Sequence, residues 1–97
     1  MIRHILMLNW IDGISAAQLD EAVGIVESVR RFPWIENLAY GHGLGLAADG
    51  YDFVAVMDFA SPDDWHAYDR DPAHQQAAAA LRRFVSQKAR IQFELPS

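Results

Sequence analysis

Residues 2–10 alternate as a β-strand does, yet they carry apolar side chains on both faces. Ile2, His4, Leu6, Leu8 and Trp10 point one way, while Arg3, Ile5, Met7 and Asn9 point the other. Residues 51–59 repeat the pattern: Phe53, Ala55, Met57 and Phe59 alternate with Asp52, Val54, Val56 and Asp58. Strands of this kind need cover above and below. That requirement restricts the folds open to a chain of 97 residues, which is long enough for one core but not for two.

The segments between the strands read as helices with explicit start signals. Ser15 and Gln18 form a capping box, with Ile14 and Leu19 at the staple positions. Leu19, Ala22, Val23, Val26, Val29 and Phe32 then recur at helical spacing until Pro33 ends the run. Residues 35–46 contain Gly41, Gly43 and Gly45, which weaken a strand and suggest a bulge or an edge position. Asp49-Gly50 is a turn signal, so this segment and the next strand should form a hairpin. Ser61-Pro62-Asp63-Asp64 opens a short helix, and Asp71-Pro72 opens a second, longer one expected to run to about Gln87. His74, Ala77, Ala78, Leu81, Phe84 and Val85 make its apolar face, with Arg82 and Arg83 largely off it. Residues 89–95 are the expected last strand, Ile91, Phe93 and Leu95 alternating with Gln92 and Glu94.

Strand, helix, strand, strand, helices, strand is the split β-α-β order of ferredoxin-like α+β domains. Such a four-stranded antiparallel sheet has helices on one face only, which leaves Ile5, Met7, Val54 and Val56 facing away from them. Covering one such side chain is worth roughly 1.5–3 kcal/mol, a large fraction of a small domain's stability. A homodimer with sheet packed against sheet supplies the cover.

Composition removes several function classes. There is no cysteine, hence no disulfide, thiolate nucleophile or thiolate metal site, and a cytoplasmic location is expected. The formal charge is −5, and no basic run exceeds two residues, so no nucleic-acid partner is expected. No apolar run approaches the length of a membrane span, and the N-terminus lacks a signal-peptide pattern. Neither membrane association nor secretion is expected. Residues 41–45 resemble a phosphate loop only in glycine content, and no hydrolase nucleophile motif is present. Asp69, Asp71 and His74 make a poor metal set, because Asp71 is better explained as a helix cap and no dependable fourth ligand follows.

Four histidines remain. His42 and His66 are expected at the surface, whereas His4 and His74 interrupt apolar stripes. A lone histidine in such a stripe is usually a hydrogen-bonded core residue. Tyr68 and His74 are more informative together. They lie six residues apart across the Asp71-Pro72 junction, so the bend can turn both side chains into one pocket. Burial and the positive helix end disfavour a charged His74, leaving an imidazole able to accept a proton. A neighbouring phenol can donate to a carbonyl oxygen that gains negative charge. The pair suits removal of a proton beside a carbonyl.

The segments Met1-Ile2-Arg3-His4-Ile5, Val56-Met57-Asp58-Phe59, Ser61-Pro62-Asp63-Asp64-Trp65 and, above all, Tyr68-Asp69-Arg70-Asp71-Pro72-Ala73-His74 resemble the stress-responsive A/B barrel family over nearly the whole chain. The resemblance implies ferredoxin-like protomers closing a dimeric α/β barrel. The family includes plant polyketide cyclases that work by intramolecular aldol chemistry, and some plant members are linked to stress tolerance or associate with magnesium. By resemblance His74 matches the cyclase base, Tyr68 the tyrosine supporting the substrate oxygen, and His4 a histidine near the same pocket. Trp65, three residues before Tyr68, is placed with His4 among the expected substrate contacts. The chain departs from the family pattern at Asp71, where many relatives have histidine, and in its glycine-rich residues 41–45.

Three functions follow as expectations. One is a cyclase or proton-transfer enzyme needing no redox cofactor and acting on a small phenolic or polyketide-like ligand. The second is a non-catalytic, stress-associated or ligand-binding homodimer. The third is a cofactor-independent monooxygenase of the same fold.

Overall fold

The computed structural model describes residues 1–96. Within them four strands and three α-helices run in the order β1 (Ile2–Trp10), α1 (Ala16–Ser28), β2 (Asn37–His42), β3 (Phe53–Phe59), α2 (Pro62–Arg70), α3 (Pro72–Arg82) and β4 (Val85–Glu94). The strands form one antiparallel sheet in the order β2-β3-β1-β4, with the helices on one face. This is the ferredoxin-like arrangement the element order implies. Among the described residues no helix is long and apolar enough to cross a membrane.

The helix starts are built as the sequence reads. The Gln18 backbone N–H donates to Ser15 Oγ at 3.1 Å, and the Ser15 N–H donates back to the Gln18 side chain at 2.9 Å. Ser61 Oγ accepts the Asp64 N–H, and Pro62 occupies the first turn of α2. After α1 the chain tightens into a 3-10 turn at Val29–Arg31 and becomes extended at Phe32, just before Pro33. Strand β2 is an edge strand, as the glycines of residues 35–46 suggest. Gly43 lies beyond it, where an added Cβ would strike the Tyr51 carbonyl oxygen, and Gly45 has φ +73°.

The boundary between α3 and β4 differs most from the reading of the sequence. Helix α3 stops at Arg82 rather than continuing to Gln87, and β4 begins at Val85 rather than at residue 89. No proline or glycine marks the change; the fold makes it. The Phe84 N–H closes a turn onto the Leu81 carbonyl, while the Phe84 carbonyl accepts the Ile11 N–H at 2.9 Å. Ser86 Oγ then donates to the Trp10 carbonyl at 2.9 Å. Val85, expected on the helix face, therefore pairs with Trp10 as the first residue of β4, the register shifting opposite Asn9 and Trp10 so that Ser86 is the extra residue of β4.

The core lies between sheet and helices, where Leu8, Phe53 and Phe59 are fully buried against Ala22 and Val26 of α1. The other sheet face is also apolar. Ala39, Val56, Ile5 and Ile91 form one cross-strand row, and Gly41, Val54, Met7 and Ala89 the next. Ile91 is 57% exposed and Phe93 42%, both well above the usual exposure of core side chains. Beside them Arg3 holds Asp58 in a two-point ion pair, Nε to Oδ1 at 2.9 Å and Nη2 to Oδ2 at 3.0 Å.

Strand β4 uses its alternation in the opposite sense from β3. Lys88, Arg90 and Gln92 stand opposite Leu8, Leu6 and His4, on the helix side. Ala89, Ile91 and Phe93 stand opposite Met7, Ile5 and Arg3, on the outer side.

The hydrogen bonds from Arg3 hold the Asp58 carboxyl below its ordinary value of 3.8. Their stabilisation is therefore complete above that value and is lost as pH falls through the lower, folded one. Arg3→Met should lower the thermal midpoint at neutral pH by several degrees. The deficit should narrow below pH 3.8, and calorimetry across that range would measure both effects.

Candidate functional site

The junction between α2 and α3 brings Tyr68 and His74 together. Asp71 ends α2 by donating its N–H to the Tyr68 carbonyl at 3.2 Å. Its carboxylate then caps α3, accepting the Ala73 N–H at 2.9 Å and the His74 N–H at 3.3 Å. Pro72 suits the first turn of α3 and keeps Asp71 extended, with ψ 133°. The chain turns sharply enough for the two rings to stack, with centroids 4.0 Å apart and planes tilted by 34°.

Hydrogen-bond partners settle which nitrogen of each imidazole carries the proton. His74 Nδ1 lies 3.1 Å from the Asp69 backbone carbonyl, which can only accept. The neutral ring therefore carries its hydrogen on Nδ1 and presents Nε2 as an acceptor. At His4 the roles reverse. The Trp65 indole N–H, which can only donate, reaches His4 Nδ1 at 3.2 Å. His4 Nδ1 accepts and Nε2–H is left as a donor. The Gln92 amide nitrogen approaches the same Nδ1 at 2.8 Å.

Burial separates the two rings as well. His4 is only 3% exposed, whereas His74 is half-buried, more open than its apolar stripe suggests. Burial, assisted by the charge of Arg90, lowers the His4 pKa from 6.5 to about 4. His4 thus stays neutral at physiological pH. Tyr68 is buried, and burial pushes its phenol pKa up, so it remains a donor. Its partner is Met57 Sδ at 3.5 Å, a weak acceptor.

The three side chains line a cavity of about 110 Å³ between the sheet, α1 and α3. Leu6 and Leu8 provide its sheet wall, Ala77 and Ala78 its helix wall, and Arg82, Lys88 and Arg90 also line it. The structure brings Tyr68, His74 and His4 to one space. Trp65 stands behind His4 and fixes its ring through the indole hydrogen bond. Nothing local in the sequence marks Gln92, Met57 or the three cations as part of the site, and Arg82, expected off the apolar helix face, borders the cavity with it. Gln92, Arg90 and Lys88 alternate with the apolar positions of β4, but alternation alone does not tell which set faces the helices.

The family model described as the stress responsive A/B barrel domain matches residues 2–95. The chain belongs to this family. A dimeric ferredoxin-like protein of unknown function from Thermobifida fusca resembles this A/B barrel domain with 33% sequence identity and a TM-score of 0.85, covering 97% of this chain and 90% of its own. Hydroxynitrile lyase from Passiflora edulis shares the fold at a TM-score of 0.90 and 18% identity, covering 98% of this chain and 93% of its own. A cofactor-independent oxygenase from Streptomyces nogalater, in a mutant form, shares it at a TM-score of 0.77 and 12% identity, covering 99% of this chain and 93% of its own. Among curated proteins none matches.

Because His4 binds a proton more readily in the unfolded chain than in the fold, stability rises with pH between about 4 and 6.5. The full span corresponds to about 3 kcal/mol. Wild type should lose that much more than His4→Gln when both are taken from neutral pH to pH 4. Parallel denaturation curves for the two proteins would contradict a buried, neutral His4. Nitrogen NMR of the imidazole reads its tautomer directly.

Proposed function

We propose that this A/B barrel domain is a homodimeric small-molecule enzyme that removes a proton from carbon beside a carbonyl. The observation that carries the reading is the opposed hydrogen bonding of two imidazoles that line one cavity: His74 Nδ1 faces a carbonyl, which leaves Nε2 as an acceptor, and His4 Nδ1 faces an indole N–H, which leaves Nε2–H as a donor. In this reading the substrate carbonyl oxygen displaces Met57 Sδ as the partner of the Tyr68 hydroxyl. His74 Nε2 takes the proton from the adjacent carbon and becomes an imidazolium, still held by the Asp69 carbonyl. Negative charge grows on the carbonyl oxygen, where the Tyr68 O–H and His4 Nε2–H can receive it. The enolate carbon then attacks a second carbonyl of the same molecule, and the imidazolium returns its proton to the new alkoxide. An intramolecular aldol closure is balanced in this way with no added reductant or oxidant.

Catalytic roles accordingly fall to His74 and Tyr68, substrate contact to His4, and positioning of His4 to Trp65. The cavity supports an enzyme over a purely structural polar cluster, because its walls leave space beside the stacked pair. The outer sheet face supports the homodimer: Ile91 and Phe93 remain exposed next to half-buried Ile5, Val54 and Val56. The Thermobifida fusca relative is itself dimeric.

Phenylacetone in deuterium oxide tests the proton transfer, with proton NMR following loss of the hydrogens beside its carbonyl. The wild type should accelerate exchange, and His74→Ala should cut the acceleration by about 100-fold while leaving the fold intact. Tyr68→Phe should also lose activity, though less. An unchanged exchange rate in His74→Ala removes that residue from the chemistry; binding with no exchange in the wild type favours a ligand-binding homodimer instead.

For the assembly, Val56→Asp should give monomers or unfolded chain by sedimentation. A folded variant with the wild-type mass would place the interface elsewhere.

A further inference from the structure

The helix side of a one-layer sheet is normally its apolar side, yet β4 presents Lys88, Arg90 and Gln92 there. Lys88 and Arg90 border the cavity, together with Arg82 from the last turn of α3. The clustering runs against the overall charge. The chain carries −5 with only eight basic residues, and four of those eight, Arg82, Arg83, Lys88 and Arg90, fall within residues 82–90.

Local carboxylates neutralise two of the four. Arg83 pairs with Glu21, and Arg90 lies 3.6 Å from Asp69. Among the described residues no carboxylate lies within ion-pair distance of Arg82 or Lys88. Two uncompensated cations therefore border a cavity whose interior walls are Leu6, Leu8, Ala77 and Ala78. A low-dielectric wall beside them strengthens their field at the opening.

We infer that the ligand of this pocket is an amphipathic organic anion, an apolar chain ending in a carboxylate. The chain lies between the leucines of β1 and the alanines of α3, and the carboxylate meets Arg82 and Lys88. Ala77 and Ala78 leave the width for such a chain, which a larger side chain at either position would occupy. Arg82 can grip a carboxylate through two parallel N–H groups, and Lys88 adds a point charge. A carbonyl farther along the chain reaches Tyr68 and His4, so the substrate class is an oxo acid with its reacting carbonyl remote from the carboxylate. The inference rests on the proton-transfer reading for what happens to the ligand, and on the pocket walls for its class.

Octanoate, octanol and octylamine share one chain and differ in head-group charge, which makes them suitable probes. Each is titrated into the 97-residue chain at low salt, and the amide signals of Ala77 and Ala78 are followed by NMR. Octanoate should bind at least about tenfold more tightly than octanol, with octylamine weakest. Its advantage should shrink as salt screens the cations. The double variant R82E/K88E should lose that tenfold advantage, whereas R31E/R70E, with the same change in net charge away from the cavity, should keep it. If charge reversal unfolds the chain, R82Q/K88Q serves the same purpose. Equal affinity for octanoate and octanol overturns the inference, as does octanoate binding that survives R82Q/K88Q, or the absence of shifts at both alanines with every probe. Selective octanoate binding with hydrogen exchange in neither phenylacetone nor 7-oxooctanoate would instead sink the proton-transfer reading and leave the anion site standing.

Discussion

Side chains of a β-strand alternate between the two faces of its sheet, and a strand with one helical layer beside it must choose which set the helices cover. Strands β1 and β3 direct His4, Leu6, Leu8, Phe53 and Met57 to the helices. Strand β4, hydrogen-bonded along β1, makes the opposite choice. Its apolar residues extend the outer face of the sheet, and its polar residues border the space under α3. A single register thus enlarges an apolar surface on one side and furnishes a charged pocket wall on the other. Shifting β4 by one residue would exchange the two and lose both.

Within the pocket, the polarity of each imidazole depends on the groups beside it. A carbonyl that can only accept and an indole that can only donate assign opposite tautomers to two histidines. The same imidazole side chain therefore appears once as donor and once as acceptor. Burial reinforces the division by keeping His4 uncharged. Tyr68 completes the set, its hydroxyl resting against a thioether rather than a strong acceptor. A neutral oxygen entering the cavity meets a donor that gives up little when it changes partner.

Much of this is legible in the order of residues because the relevant signals are local. Capping at Ser15, Ser61 and Asp71 joins each side chain to backbone N–H groups two or three positions on, and all three caps are formed. The pairing of Tyr68 with His74 spans six residues across a proline and can be read in the same way. The end of α3 cannot, since the bonds that stop it come from Ile11 and Trp10 at the far end of the sheet. The histidine tautomers are equally hidden. Trp65 and Gln92 set the His4 ring across 61 and 88 residues of chain.

Asp71 both terminates one helix and initiates the next, with no linker residue between those tasks. A longer connection would let each helix find its own cap and drift relative to the other. Here the backbone amide and carboxylate of one residue serve both, so the angle between the helices is tied to a single position. Insertions or deletions that many helix connections tolerate would separate the stacked rings at this one. The six-residue interval from Tyr68 to His74 is therefore a spacer of fixed length, whose single shared cap sets the distance between the two rings.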